Sequence, residues 1–157
     1  MKINSDFKDL LQLFAGEAVR FIVVGGYAVI KHTEPYYTKD LDIWIEGTPE
    51  NAARALRALR RFGAPAADVT IEELTSPDLV YQVGVEPVRV DIMPAVPGLT
   101  FAKAWEGHVD ADFGGVRAPV LSLEDTLASK RAANRPKDRI QIQQLLEAKR
   151  RLESQKK

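Results

Sequence analysis

The chain contains no cysteine, only two histidines and no long apolar run. Without cysteine there is no disulfide scaffold, no thiol nucleophile and no Cys-ligated zinc. His32 and His108 are too few for a multi-histidine metal cage. No stretch approaches the ~20 apolar residues that a membrane-crossing helix needs, so no membrane partner is expected. Net charge is missing as well. The 22 Lys and Arg balance 22 Asp and Glu, which excludes a globally basic nucleic-acid binder, though not a local basic patch. The opening MKINSDFKDL lacks the basic-then-apolar order of a signal peptide, so the expected location is cytoplasmic.

What is present fits one domain over residues 1–157. With 45% hydrophobic and 28% charged residues, there is material for a single core and a solvated surface. Ser5 or Asp6 can cap a first helix, in which Phe7, Leu10, Leu11 and Phe14 fall at helical spacing. Phe21-Ile22-Val23-Val24 is a short apolar run that reads as a buried strand, ended by Gly25-Gly26 and followed by a short helix from Tyr27. A loop through Pro35 leads to Leu41-Asp42-Ile43-Trp44-Ile45, whose alternation predicts a second strand.

Thr48 and Pro49 start a helix that Gly63 stops. Val80–Val83 and Val88–Met93 read as two strands of a hairpin. A short helix near Phe101–Trp105 precedes a second hairpin, 109–113 and 116–120, turning at Gly114-Gly115. Ser122 caps a helix with Asp125 at the acidic capping-box position. Asn134 and Pro136 break it, and a last helix carries Ile140, Ile142, Leu145, Leu146 and Leu152. The tail from about residue 148 is mostly charged and is expected to fray. The pattern predicts an α/β (α+β) fold, a mixed β-sheet flanked by helices, with helices at the C-terminus.

Chemistry concentrates at three places. A strand that ends in Gly25-Gly26 and opens a helix presents backbone N–H groups at a positive dipole end, where phosphate can approach closely. The dipeptide alone serves as often as a plain strand-to-helix turn. Asp40 and Asp42 are two residues apart at the mouth of a strand, so both project from one face. Two such carboxylates repel unless a divalent cation holds them, and Mg²⁺ is the natural ion. In isolation the pair is equally well a solvated strand end. Asp91 lies in Val88-Arg89-Val90-Asp91-Ile92-Met93, where an acid is costly unless paired or metal-bound. Arg89 is an obvious partner. Three acids on neighbouring strands beside a phosphate-cradling turn would make a two-metal phosphoryl-transfer site.

Together these motifs resemble the nucleotidyltransferase fold superfamily. The narrower likeness is to small bacterial proteins related to the nucleotidyltransferase toxin of abortive-infection toxin–antitoxin systems. Leu121-Ser122-Leu123-Glu124-Asp125, Lys130-Arg131 and Arg135-Pro136-Lys137-Asp138 are similar to the C-terminal motif of that group. The resemblance implies an enzyme that moves a nucleoside monophosphate from an NTP to an acceptor hydroxyl on RNA, protein or a small molecule. It implies that Asp40, Asp42 and Asp91 are catalytic and bind Mg²⁺ or Mn²⁺. Gly25, Gly26, Thr38, Lys39 and Lys130 would contact nucleotide, with Arg135, Lys137 and Asp138 weaker candidates. Related sequences often carry an arginine where this chain has Pro35-Tyr36-Tyr37, and Tyr36 or Tyr37 could instead stack on a base. The alternative is a non-catalytic NTP-binding or partner-binding member, such as half of a toxin–antitoxin pair. A chain of this size also has room for a homodimer.

Residues 130–157 hold ten basic residues against three acids. No aromatics interleave with them, so this reads as a solvated helix face before it reads as a nucleic-acid surface.

Overall fold

The computed structural model describes residues 3–33, 38, 40–63, 69–84 and 89–156. The chain order is α1 (Ser5–Gly16), β1 (Phe21–Val24), α2 (Gly25–His32), β2 (Asp40–Ile45), α3 (Pro49–Phe62), α4 (Ile71–Thr75), β3 (Tyr81–Val83), β4 (Arg89–Met93), α5 (Phe101–Gly107), β5 (Val109–Phe113), β6 (Val116–Val120), α6 (Leu123–Ala133) and α7 (Pro136–Gln155). The strands form one six-stranded sheet in the order β3-β4-β2-β1-β6-β5. β1 runs antiparallel to β2 and parallel to β6, while β2 and β4 are parallel, so the sheet is mixed as the sequence predicts.

Local chemistry explains most element boundaries. β1 is buried at all four positions, as a short unbroken apolar run requires. α3 begins at Thr48, whose hydroxyl accepts from the Asn51 N–H, with Pro49 in the first turn where its missing N–H costs nothing. Ser122 caps α6 by accepting from the Asp125 N–H at 3.1 Å. Phe113 pairs with Val116, so the β5–β6 hairpin closes through the two residues Gly114-Gly115. One cap differs from expectation: Asn4, not Ser5 or Asp6, caps α1. Its Oδ1 accepts from the Asp6 N–H at 2.8 Å, because Ser5 and Asp6 already lie inside the helix.

α4 is not legible as a helix in the sequence; Thr70 caps this single turn and Leu74 anchors it in the core. α7 continues as helix to Gln155, past the point where the charge suggested an early end. Ala148 is buried there, and Lys149 pairs with Glu124 of α6 at 2.8 Å.

The main core joins α1, α3 and the sheet, with Phe7, Phe14, Trp44 and Phe113 essentially inaccessible. A second, small cluster of Val29, Leu127 and Leu145 ties α2, α6 and α7 to one another. His32 sits at the end of α2 and bonds through Nε2 to the Leu121 carbonyl oxygen at 2.8 Å. It therefore ties the end of α2 to the segment that leads into α6, a structural role. Among the described residues, no helix is long and apolar enough to cross a membrane.

Candidate active site

The register of three adjacent strands builds the site. Val24 at the end of β1 pairs with Asp42, and Asp42 pairs with Asp91 on β4. Neighbouring strands lie about 4.8 Å apart, so the two aspartates emerge side by side on one face of the sheet. Asp40 lies two residues before Asp42, on that same face. The α2 N-terminus abuts them: no side chain caps it. Gly25 has φ +66°, and a Cβ placed on it would fall 2.0 Å from Asp42 Oδ2. Only glycine fits between the helix start and this carboxylate, which gives Gly25 a reason that the dipeptide alone did not.

α6 and α7 close the other side. Lys130, expected to contact nucleotide, is only 8% exposed and lines the cleft. Its Nζ is 3.5 Å from Asp138 Oδ1. Asp138 is itself inaccessible and holds three groups together. It accepts from Arg135 Nε at 2.8 Å and from the Arg135 backbone N–H at 3.0 Å, which caps α7, and it pairs with Lys130. Burial pulls the Lys130 ammonium below its ordinary pKa, against the opposing pull of Asp138. Burial would raise Asp138, but the Arg135 hydrogen bonds and the Lys130 charge outweigh it and hold the carboxyl at about 2. Asp138 is thus a keystone rather than simply an acid in a first helical turn.

These elements enclose a cleft of about 490 Å³, within the range of small-molecule sites. Gly25, Gly26, Thr38, Asp40, Asp42, Asp91 and Lys130 all line it, with Arg135 and Lys137 at its rim. Lys39, Tyr36 and Tyr37 lie outside the described residues. Sequence reasoning did not find Ser129 and Gln141, or the apolar lining residues Val80, Met93, Val96 and Pro97. Nothing local marks them, since the cleft assembles them from separate elements.

The electrostatics suit a cation. Burial, with the charges of Asp91 and Asp40, pushes Asp42 up to about 7 against the pull of Lys130 and Arg89. Asp40 Oδ1 is buried without a hydrogen-bond partner. A hard divalent ion would satisfy that oxygen and relieve the repulsion at Asp42, so these two residues fit Mg²⁺ or Mn²⁺. Asp91 is placed differently from the simplest expectation. Both its oxygens accept from Arg89, at 3.0 and 3.1 Å. Among the described residues, no three His, Asp or Glu side chains converge as a ready ligand cage. The acids share a cleft and feel each other's charge, while Arg89 neutralises the third.

A glycine turn at a helix start, paired carboxylates on a mixed sheet and a buried lysine line one cleft, the arrangement the resemblance to nucleotidyltransferases leads one to expect. The chain belongs to the family described as "Nucleotidyl transferase of unknown function (DUF2204)", which matches residues 4–156. No curated protein matches the sequence. Among solved structures, the lincosamide antibiotic adenylyltransferase LnuA, bound to lincomycin, aligns with TM-score 0.62 and 17% identity over 91% of this chain and 96% of its own. A proposed nucleotidyltransferase of Thermotoga maritima aligns with TM-score 0.61 and 18% identity over 90% of both chains. The antibiotic-resistance enzyme ANT(2'')-Ia, in complex with adenylyl-2''-tobramycin, gives TM-score 0.57 and 15% identity over 97% of this chain and 90% of its own. At these identities the likeness is one of fold.

Proposed function

We propose that this protein transfers a nucleoside monophosphate from an NTP to an acceptor hydroxyl, with Mg²⁺ or Mn²⁺ as cofactor. The observation that carries the reading is the meeting of Asp40, Asp42 and Asp91 with the Gly25-Gly26 turn and Lys130 in one cleft. The backbone at Gly25 and Gly26 and the dipole of α2 receive the β- and γ-phosphates. Lys130, held by Asp138, supplies positive charge to the triphosphate. Asp40 and Asp42 would hold the divalent ion, which when bound neutralises phosphate charge and orients the leaving group.

The acceptor oxygen forms a bond to the α-phosphorus. The bond from that phosphorus to the α–β bridging oxygen breaks, its electron pair leaves with pyrophosphate, and the hydroxyl proton passes to Asp91. Positioning and charge supply most of the rate in such a reaction. RNA, protein and small molecules all offer suitable hydroxyls, and both antibiotic-modifying neighbours favour the last of these.

A second reading has its own support. Because Arg89 occupies both oxygens of Asp91, the fold could bind NTP without transferring it, as a component of a toxin–antitoxin pair. Incubation of α-³²P-labelled NTPs with cell RNA, protein and small-molecule extract separates the two. Label that appears with the wild type and vanishes with Asp40→Ala/Asp42→Ala supports transfer and reports the acceptor class. Metal-dependent NTP binding with no labelled product in any fraction supports the second reading.

A further inference from the structure

The cleft has two unlike walls. One carries the carboxylates, the α2 N-terminus and Lys130. The other is apolar, built by Val80, Met93, Val96 and Pro97. Sheet order separates their roles. Gly25-Gly26 ends β1, the metal-side acids lie on β2, Asp91 lies on β4, and Val80 directly precedes the edge strand β3. Val80 therefore lies beyond Asp91 in the sheet, on the side away from the phosphate turn, and Met93 follows Asp91 on β4 itself.

The wall is fixed in place. Val96 to Leu99 form a turn closed by the Leu99 N–H to the Val96 carbonyl at 3.2 Å. Pro97 and Gly98, with φ +80° at Gly98, suit its two central positions. A Cβ on Gly98 would meet Ala132 Cβ at 2.9 Å, so the turn sits directly against α6, the helix that carries Lys130. Met93 and Val96 are partly buried and pack against the main core. Val80 is 53% exposed and Leu79 beside it 46%, so apolar surface continues from the cleft to its mouth.

Charge narrows the occupant. Among the described lining residues the only acids are Asp40, Asp42 and Asp91, while Arg89, Lys130, Arg135 and Lys137 are cationic. With one acid held by Arg89 and two suited to a metal ion, no carboxylate among the described lining residues is left to receive a polyammonium acceptor. We infer that the acceptor is a small hydroxyl compound with an apolar face and no cluster of positive charges, which lays that face on Val80, Met93, Val96 and Pro97 with its hydroxyl toward Asp91. This rests on the transferase reading above.

Two probes test it: phenyl β-D-glucoside, neutral with an apolar ring, and tobramycin, a polycation. Each is titrated by ligand-detected NMR with wild type and Val80→Asp in the presence of ATP and Mg²⁺, and each mixture is assayed for transfer of α-³²P label. The wild type should bind the glucoside through its ring protons and tobramycin more weakly. Val80→Asp, at an exposed position, should weaken the glucoside about five-fold while the fold stays native by circular dichroism. Tighter tobramycin binding, or glucoside binding indifferent to Val80→Asp, overturns the inference. Label passing to tobramycin alone overturns it too, while upholding transfer. Glucoside binding that is sensitive to Val80→Asp, without labelled product, upholds the wall and removes the transfer reading instead.

Discussion

Replacing Asp42 with asparagine should make the ligand-free protein more stable at pH 8 while abolishing transfer. Asp42 is pushed up to about 7 by burial and by the charges of Asp91 and Asp40. A raised carboxylate pKa means that the folded state holds the proton more tightly than the unfolded chain. Folding stability is therefore intact below the ordinary value near 3.8, falls as pH rises toward 7, and is flat above. At about 1.4 kcal/mol per unit, the full shift corresponds to about 4 kcal/mol at pH 8. Partial exposure of the cleft reduces this to roughly 2 kcal/mol. Asparagine keeps the shape and removes the charge, so it should raise Tm by about 4–8 °C at pH 8. At pH 5, between the ordinary value near 3.8 and the raised value of about 7, the gap should shrink to roughly two-fifths of that. Thermal unfolding of both proteins in EDTA at the two pH values measures it. A variant equally or less stable than wild type at pH 8 would refute the claim that these acids repel in the folded state.

Gly25→Ala should abolish detectable NTP binding by calorimetry while circular dichroism stays native-like, because its Cβ would lie 2.0 Å from Asp42 Oδ2 and φ is +66°. Asp138→Asn should cost about 3 kcal/mol in urea unfolding, since it leaves Lys130 buried without its charge partner. It should also flatten the acid limb. The Asp138 pKa is lowered to about 2, so its stabilisation is complete above the ordinary value near 3.8 and is lost as pH falls between the two. Mg²⁺ should raise the Tm of wild type more at pH 8 than at pH 5, because it competes with the proton for Asp42. That response should disappear in Asp40→Asn, which takes away the charge beside the orphaned oxygen Oδ1.

The sheet was readable because its strands carry plain signals, an unbroken apolar run at 21–24 and a Gly-Gly hairpin at 114–115. α4 was not, since five residues cannot show helical period and its one anchor, Leu74, is set by tertiary packing. The acids and the glycine turn were readable as a spacing. Their register, which puts Asp42 beside Asp91, is a property of strand pairing that no local pattern encodes. The hold of Arg89 on Asp91 was foreseeable from the i, i+2 spacing on one strand. The burial of Lys130 was not, because it depends on α7 folding back so that Asp138 meets it. The apolar wall drew on three separate segments and left no motif at all.

Parallel reactions with α-³²P- and γ-³²P-labelled ATP, with Mg²⁺ and a cell extract supplying acceptors, test most directly whether this cleft transfers nucleotide. Covalent label from the α position only, with pyrophosphate released and both lost in Asp40→Ala/Asp42→Ala, is the expected result. Label from the γ position, or α label that survives the double substitution, would contradict it.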